Sequence, residues 1–391
     1  MKEVQGLLLG VACLGLLGAV AGAAEPAATT AAPTGEVIKI GAILAVTGPA
    51  SNLGAPEAKT ATMLIDQINA AGGIKGHKLQ LILKDSGGSP EKAVSFAKQL
   101  IDEDKVLAII GPSTSGETMQ IKGICEQNKM ILVSCAAAEV IVNPLAKYVF
   151  KTPQKDSQAI TWIYNTMKKK GITRIGVLSG NDGFGTAGKK QLEDMAPQMG
   201  IEIKANEVYD KEATDLTDIL AKLKAADVQA VVNWSIVPAQ SILAKNMKQM
   251  GFNVPLFQSH GFGNLKYAAA AGEAAEGILF PCGRLLIADL LPDNHPQKAV
   301  LVKYKKDYEA KYKEDVSSFG GYAYDALLMI TTVIEQAGTD RDKVRDALEN
   351  LKGLVGTSGI FNLSPQDHNG LSLDAFEMLT VKGGKFVPYK E

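Results

Sequence analysis

Residues 38–43 read Ile-Lys-Ile-Gly-Ala-Ile, an alternation that is typical of a β-strand. The Thr-Gly-Pro turn at 47–49 leads into a helical pattern over 56–70, which ends at the two glycines at 72–73. A strand, a helix and a glycine stop make one βα unit, and repeated units of this kind build parallel sheets. This stretch therefore predicts an α/β fold.

The same order of strand and helix continues along the chain. A helix is predicted to begin at Ser89 and Pro90, since serine caps helix starts and proline suits the first turn. Further strands are predicted over 79–83, 106–110, 130–133, 174–178, 228–232 and 255–257. Helical stretches separate them, which indicates parallel sheets with helices on both faces. Because 391 residues exceed the roughly 250–300 that one core supports, we expect two Rossmann-like lobes with a cleft between them.

The composition is that of an ordinary globular protein, with 46% hydrophobic, 21% charged and 6% aromatic residues. Lys and Arg number 41 and Asp and Glu number 42, and no block of like charges stands out. A nucleic-acid partner would require a basic patch, so this balance argues against one.

The first 24 residues are typical of a secretory signal peptide. A lysine near the start is followed by an apolar run over 7–20 and by small residues over 19–24. The apolar run is shorter than the ~20 residues of a membrane-spanning helix, so we expect cleavage after Ala23 or Ala24. Lipid attachment at Cys13 is the alternative. Residues 25–35 offer nothing to bury and are predicted to be a disordered tether.

Export would leave three cysteines, Cys125, Cys135 and Cys282. None belongs to a Cys-x-x-Cys motif or lies near a histidine at the spacing of metal ligands. We therefore expect buried, unpaired thiols, no metal site and no cofactor. A bridge between Cys125 and Cys135 is the open alternative.

Several short motifs together resemble the type I periplasmic binding proteins of the leucine/isoleucine/valine kind. In chain order they are Ile-Lys-Ile-Gly at 38–41, Thr-Gly-Pro at 47–49, Ile-Asn-Ala-Ala-Gly-Gly-Ile-Lys-Gly at 68–76, Ile-Gly-Pro-Ser-Thr-Ser-Gly at 110–116, Ala-Ala-Glu-Gly at 274–277 and Tyr-Asp-Ala at 324–326. Their order and spacing match the family from about residue 37 to the final strands.

The resemblance implies a periplasmic substrate receptor of an ABC importer. Two lobes joined by a three-stranded hinge would close on a small ligand and present the closed form to a permease in the inner membrane. Lobe one would comprise 36–155 plus 285–361, and lobe two 156–284 plus 362–391. We expect a monomer that is not an enzyme. A ligand-sensing module for signalling is the alternative from another class, although such chains usually continue into a membrane span.

The loop over 111–116 is the predicted carboxylate site. It ends a strand and opens a helix, where free backbone N–H groups and the helix dipole favour an anion. In the family this loop holds the ligand carboxylate, and Ser115 matches the serine that does so. Ser113 is a second candidate for binding the carboxylate. The alternative is that Ser113 or Ser115 only caps the helix. The loop lacks the final glycine of a hydrolase nucleophile elbow.

Three positions depart from the amino-acid receptors of this family. A threonine that contacts the ligand becomes Ala138, a tyrosine at the start of the lobe-two helix becomes Phe184, and the glutamate that binds the ligand ammonium becomes His260. A buried ammonium needs a charged partner, so these losses favour an acid without an α-ammonium. Phe184, together with Trp234, Ile236 and Phe262, would give the pocket an apolar and aromatic wall. An aromatic acid of the benzoate type fits such a wall.

Two further residues complete the predicted pocket. Ala136 would hold the ligand on lobe one beside Ser115. Glu139 keeps a branched-chain or other hydrophobic amino acid open as the alternative ligand, because a shift of one or two positions in the alignment would put its carboxylate in the cleft.

The glycines over 183–188 have the spacing of a dinucleotide-binding fingerprint. They lie in the middle of the chain, and an exported protein meets no ready pool of nicotinamide. The family resemblance explains them as a helix start. A dehydrogenase is therefore disfavoured.

Overall fold

The structure, a computed structural model, describes residues 35–390. The predicted signal peptide, Cys13 and nearly all of the predicted tether lie outside the described residues. The strands, numbered in chain order, are β1 (Ile38–Leu44), β2 (Leu79–Asp85), β3 (Ala108–Ile110), β4 (Ile131–Ser134), β5 (Val149–Lys151), β6 (Arg174–Gly180), β7 (Glu202–Tyr209), β8 (Ala230–Trp234), β9 (Leu256–Gln258), β10 (Leu279–Cys282), β11 (Leu354–Val355), β12 (Ile360–Phe361), β13 (Glu377–Lys382) and β14 (Lys385–Pro388).

Helices alternate with these strands over most of the chain. They are α1 (Ser51–Ala70), α2 (Pro90–Asp102), α3 (Ser115–Gln127), α4 (Asp156–Lys169), α5 (Gly183–Met195), α6 (Thr217–Ala225), α7 (Ala239–Gln249), α8 (Leu265–Ala271), α9 (Lys298–Tyr312), α10 (Ser318–Ala337) and α11 (Arg341–Glu349). In the described part of the chain, no helix combines the length and the apolar character that crossing a membrane requires.

Two large sheets carry the α/β fold that the sequence predicts. The first has the order β2-β1-β3-β4-β5, and every neighbouring pair is parallel. The second has the order β14-β13-β10-β9-β8-β6-β7. In this sheet β13 runs antiparallel to β10, and β14 runs antiparallel to β13. The expectation of parallel sheets missed these two pairings. Gly383 and Gly384 both have positive φ, so a tight turn reverses the chain between β13 and β14.

Helix α1 begins at Ser51, five residues earlier than the sequence suggested, and Pro56 lies inside it. A proline inside a helix lacks the N–H that would bond to the carbonyl four residues before it, here that of Asn52. Asn264 supplies a replacement, since its side-chain Nδ2 donates to the Asn52 carbonyl over 3.0 Å. The helix therefore continues through the proline.

Three distant chain segments meet beside the two sheets. The Gln154 side chain donates from Nε2 to the carbonyl of Ser358 over 2.8 Å, and a Cβ on Gly283 would lie 3.0 Å from the same nitrogen. The sequence placed the three hinge crossings near 155, 284 and 361. The limits of the two lobes stay a prediction.

The three cysteines of the described residues, Cys125, Cys135 and Cys282, are buried and unpaired. No bridge joins Cys125 to Cys135. Burial raises the pKa of the Cys125 and Cys282 thiols to about 12, so both stay protonated at neutral pH.

Candidate functional site

The start of helix α3 brings two serines into the cleft. Thr114 caps this helix, because its hydroxyl oxygen accepts from the backbone N–H of Glu117 over 3.4 Å and its hydroxyl donates to the Glu117 carboxylate over 2.6 Å. The interpretation of Ser113 or Ser115 as the cap is therefore wrong. Both serines are free of that role and lie buried at the end of β3.

The hydroxyl of Ser115 has a proton to offer. Its oxygen accepts from the backbone N–H of Ala138 over 3.2 Å, which orients the side chain and leaves the hydroxyl hydrogen for another acceptor. Ala136 lies beside it, with its own N–H donated to the Ser134 hydroxyl over 3.1 Å. This corner of the cleft therefore presents one positioned hydroxyl donor at a helix start.

Six of the nine predicted site residues line a small cavity of about 10 Å³. Its wall consists of Leu53, Ser113, Ser115, Cys135, Ala136, Ala137, Phe184, Ile236, His260, Gly261, Phe319 and Tyr322. Ala138, Trp234 and Phe262 do not line it. Ala138 lies behind Ser115, and Phe262 packs in an aromatic cluster with Tyr267, Phe280 and Phe386.

The start of helix α5 faces the start of α3 across the cleft. Asp182 caps α5 by accepting from the N–H groups of Phe184 and Gly185 over 2.8 and 3.0 Å. A Cβ on Gly183 would lie 2.7 Å from the Cα and N of Gly116. Two helix N-termini therefore converge here, and each carries the positive end of its dipole.

A second, larger cavity lies beside this contact. The second cavity has a volume of about 260 Å³, and its wall includes Thr114, Gly116, Gly183 and Lys211. Ile236 lines both cavities. Parting the two helix starts would join the two spaces into one.

Aromatic rings surround His260 on three sides. The ring centroids of Phe184, Trp234 and Phe376 lie 5.4, 5.6 and 5.6 Å from that of His260. Burial, with the positive charge of Lys151 nearby, lowers the pKa of His260 to about 3. His260 is therefore neutral at physiological pH, and neither ring nitrogen has a hydrogen-bond partner in the described residues. The family's glutamate carries a negative charge at this position. His260 carries neither a negative nor a positive charge there.

Two buried titratable groups, Lys151 and Asp156, lie near His260 and influence each other's charge. The Nζ of Lys151 donates to the carbonyls of Gln154, over 3.2 Å, and Ala137. Burial raises the pKa of Asp156 and lowers that of Lys151, and attraction between the two charges opposes both shifts. Asp156 Oδ1 is 3.8 Å from His260 Nε2. The Asp156 carboxylate does not line the cavity, because the imidazole ring of His260 separates the two.

Glu139 lies in a short helical turn after β4, contacts the start of helix α4 and does not line the cavity. Its carboxylate accepts from the backbone N–H of Ser157 over 3.2 Å, and its own N–H donates to Asp156 Oδ2 over 3.2 Å. The shifted alignment that would have placed Glu139 in the cleft is not what the structure has.

Two functional candidates escaped the sequence reasoning. Glu57 lies behind Ser113, and Asp156 lies behind His260. Glu57 is a charged residue on the otherwise buried face of α1, a signal that the sequence did offer. Asp156 resembles an ordinary acidic residue in the first turn of a helix, so nothing in the sequence marked it.

The glycines of the fingerprint serve packing. An added Cβ would collide with the Gly180 backbone at Gly185 and with the Trp234 ring at Gly188. These close approaches hold helix α5 against the second sheet, so the glycine spacing needs no dinucleotide to explain it.

Comparison with known proteins agrees with the fold. Residues 37–384 match the family model described as periplasmic binding protein. The leucine-, isoleucine-, valine-, threonine- and alanine-binding protein of Pseudomonas aeruginosa is 31% identical over 320 residues, 80% of this chain and 82% of that protein.

Solved structures agree as well. An extracellular ligand-binding receptor of Rhodopseudomonas palustris HaA2 superimposes with a TM-score of 0.85 at 26% identity, covering 90% of this chain and 99% of that one. The branched-chain amino acid transporter substrate binding protein of Streptococcus pneumoniae, solved with isoleucine, has a TM-score of 0.79 at 25% identity, covering 90% and 97%. The chain therefore belongs to the type I periplasmic binding proteins of the leucine/isoleucine/valine-binding family. Family members are substrate receptors of ABC importers that bind small-molecule ligands and work with permeases.

Proposed function

We propose that this chain is the periplasmic receptor of an ABC importer for a small carboxylate without an α-ammonium, an aromatic acid of the benzoate type being favoured. The observation that carries the proposal is the wall of the small cavity. It combines two serine hydroxyls at a helix start with Phe184, Ile236 and a neutral His260, and none of the described residues that line it is an Asp or a Glu.

Charge decides between the two ligand classes. The convergent starts of α3 and α5 favour a carboxylate. An α-ammonium in the same cavity would need an anionic partner, because an unpaired buried charge costs several kcal/mol. His260 stands where the family has that partner, and it is neutral.

Closure of the two lobes would complete the site. Ser113, Ser115 and Ala136 come from the first sheet and its helices, whereas Phe184 and His260 follow strands of the second. A ligand that contacts both sets stabilises the closed state through its differential affinity for that state. A benzoate ring needs far more room than about 10 Å³, so we expect the helix starts to stand farther apart around a ligand than they do here.

A hydrophobic amino acid is the second candidate ligand. The Pseudomonas and Streptococcus relatives are named for amino-acid binding. Asp156 Oδ1 is buried and has no hydrogen-bond partner among the described residues, so a rotated His260 could let an ammonium approach it.

A thermal-shift screen of the purified, ligand-stripped protein tests the proposal. The panel contains benzoate, hydroxybenzoates, aliphatic carboxylates, leucine, isoleucine, valine and phenylalanine. A ligand at 1,000 times its Kd adds about 4 kcal/mol of stability, which raises the Tm by degrees. A rise with benzoates and none with amino acids supports the proposal. A rise with leucine or valine would transfer the assignment to the amino-acid alternative.

Replacing His260 by alanine is expected to weaken binding of the acid by about 1–3 kcal/mol, because a buried hydrogen bond to the ligand and the ring packing are both lost. Isothermal titration of wild-type and variant protein with the acid from the screen measures the loss. His295→Ala is the matched control, since His295 does not line the cavity and its ring accepts from the backbone N–H of Gln297 over 3.2 Å. Equal affinities for wild type and His260→Ala would remove His260 from the site.

A further inference from the structure

Glu57 is a buried carboxyl directly behind Ser113. It lies on helix α1, one turn after Leu53, which lines the small cavity. Its Oε2 is hydrogen-bonded to the Ser113 hydroxyl, and its Oε1 has no partner among the described residues. The side chain is fully buried. Nothing in the proposed capture of a carboxylate has so far used it.

The Ser113 hydroxyl has a single proton, and the protonation state of Glu57 decides where that proton points. The hydroxyl oxygen accepts from the backbone N–H of Ala45 over 3.0 Å. If Glu57 is ionised, the Ser113 proton must point at Glu57, and the serine can offer only a lone pair to the cavity. If Glu57 is protonated, it donates to Ser113, and the serine proton is free to point into the cavity.

We propose that Glu57 is a positioning residue that makes Ser113 a hydrogen-bond donor to the ligand carboxylate only while Glu57 carries a proton. The ligand anion then binds only to protein in which Glu57 carries a proton. That proton stays on Glu57 while the ligand is bound. This inference rests on the proposed function, since it takes the ligand to be a carboxylate at Ser113.

The surroundings of Glu57 keep it protonated at neutral pH. Burial raises the pKa of Glu57 to about 8, a shift that the Ser113 hydrogen bond opposes and the Glu117 carboxylate increases. The titratable groups that interact with it are themselves neutral or negative, namely Glu117 of α3, Cys135 after β4 and Tyr322 of α10. An ionised Glu57 would therefore add a negative charge beside a ligand carboxylate and repel it.

Isothermal titration at pH 7 and pH 9 tests the proposal, with benzoate as the probe and L-leucine in parallel. Benzoate is fully ionised at both values, so its own titration does not contribute. Only the fraction of protein with protonated Glu57 binds well, so affinity is expected to fall about tenfold between pH 7 and pH 9 in the wild type. Glu57→Gln, whose amide always donates to Ser113, is expected to change less than about twofold.

Glu117→Gln is the matched control, because it removes a second buried carboxyl from the same region. It should keep the loss of affinity with rising pH, with the midpoint moved to lower pH because the Glu117 charge no longer raises the pKa of Glu57. A wild-type affinity equal at both pH values overturns the inference and leaves the proposed function standing. A pH dependence that disappears in Glu117→Gln and survives in Glu57→Gln also overturns it. If neither probe binds at pH 7, both the proposed function and this inference fail.

Infrared spectroscopy of the ligand-free protein gives a readout that does not depend on the probe. The C=O stretch of a protonated carboxyl should be present at pH 7, weaken by pH 9, and lose intensity in Glu57→Gln, where any remaining band comes from other buried carboxyls such as Asp156. A wild-type spectrum at pH 7 without this band would overturn the inference even if the variant failed to fold.

Discussion

Gly183→Ala is expected to shift the ligand-free protein by roughly 10- to 100-fold away from the arrangement in which the starts of α3 and α5 touch. The added Cβ would lie 2.7 Å from two backbone atoms of Gly116, at the point where the starts of α3 and α5 meet. Backbone atoms cannot rotate away, and forcing extra volume into a tight contact costs about 1–3 kcal/mol. The φ of Gly183 is not in the left-handed region, so alanine adds no backbone strain of its own.

Small-angle scattering and the fluorescence distance between labels on the two lobes would measure the shift. The radius of gyration of the ligand-free variant should exceed that of the wild type. Gly123→Ala is the matched control, because Gly123 is also on α3 and its Cβ would meet nothing within 4 Å. If the Gly183 variant stays as compact as the control, the two helix starts do not touch in solution.

Asp325→Ala is expected to lower the free energy of unfolding by about 3–5 kcal/mol. The Asp325 carboxylate on α10 accepts from the backbone N–H groups of Thr357 and Ser358 over 2.6 and 2.8 Å, and from the Thr357 hydroxyl over 3.0 Å. Removing it leaves the two buried backbone N–H groups without an acceptor, whereas the Thr357 hydroxyl keeps the Gly321 carbonyl at 2.8 Å. Each unsatisfied group costs about 1–3 kcal/mol before relaxation.

Urea unfolding followed by circular dichroism gives the change in free energy. Glu335→Ala removes an acidic side chain from the exposed face of the same helix and should change stability by less than about 0.5 kcal/mol. Thr357→Val removes the hydroxyl alone and should lie between the two. A loss in Asp325→Ala no greater than in Glu335→Ala would contradict the role given to this carboxylate.

Local sequence patterns were sufficient for most of the fold. The alternating and apolar runs at 38–43, 79–83 and 174–178 became β1, β2 and β6. Such runs are a local signal of a strand, so the strand can be predicted without knowing which segments pair. Helix α2 begins at Pro90 with Ser89 as its cap, as predicted. The hairpin of β13 and β14 was missed, although the glycine pair at 383 and 384 is a sequence signal of a two-residue turn.

The candidate site was harder to predict because its contacts join distant parts of the chain. Ser113 and Glu57 are 56 residues apart, and no periodicity links them. Capping of α3 by Ser113 or Ser115 was the alternative interpretation of this loop, and it is wrong. Serine and threonine both cap helices, and the φ and ψ of Thr114 with its hydrogen bond to the Glu117 N–H identify the actual cap. The family pattern pointed to Ser115, Phe184 and His260, and the structure brings these three to one cavity.

The buried thiols make the described part of this protein a convenient scaffold for an optical sensor. The thiolate is the form of cysteine that attacks labelling reagents, and Cys125 and Cys282 are both buried and held protonated. A single cysteine introduced at the exposed rim residue Lys211 would therefore react selectively in the native protein. A dye attached there would report lobe movement as a change in fluorescence, and the imported solute could be identified by adding candidates one at a time.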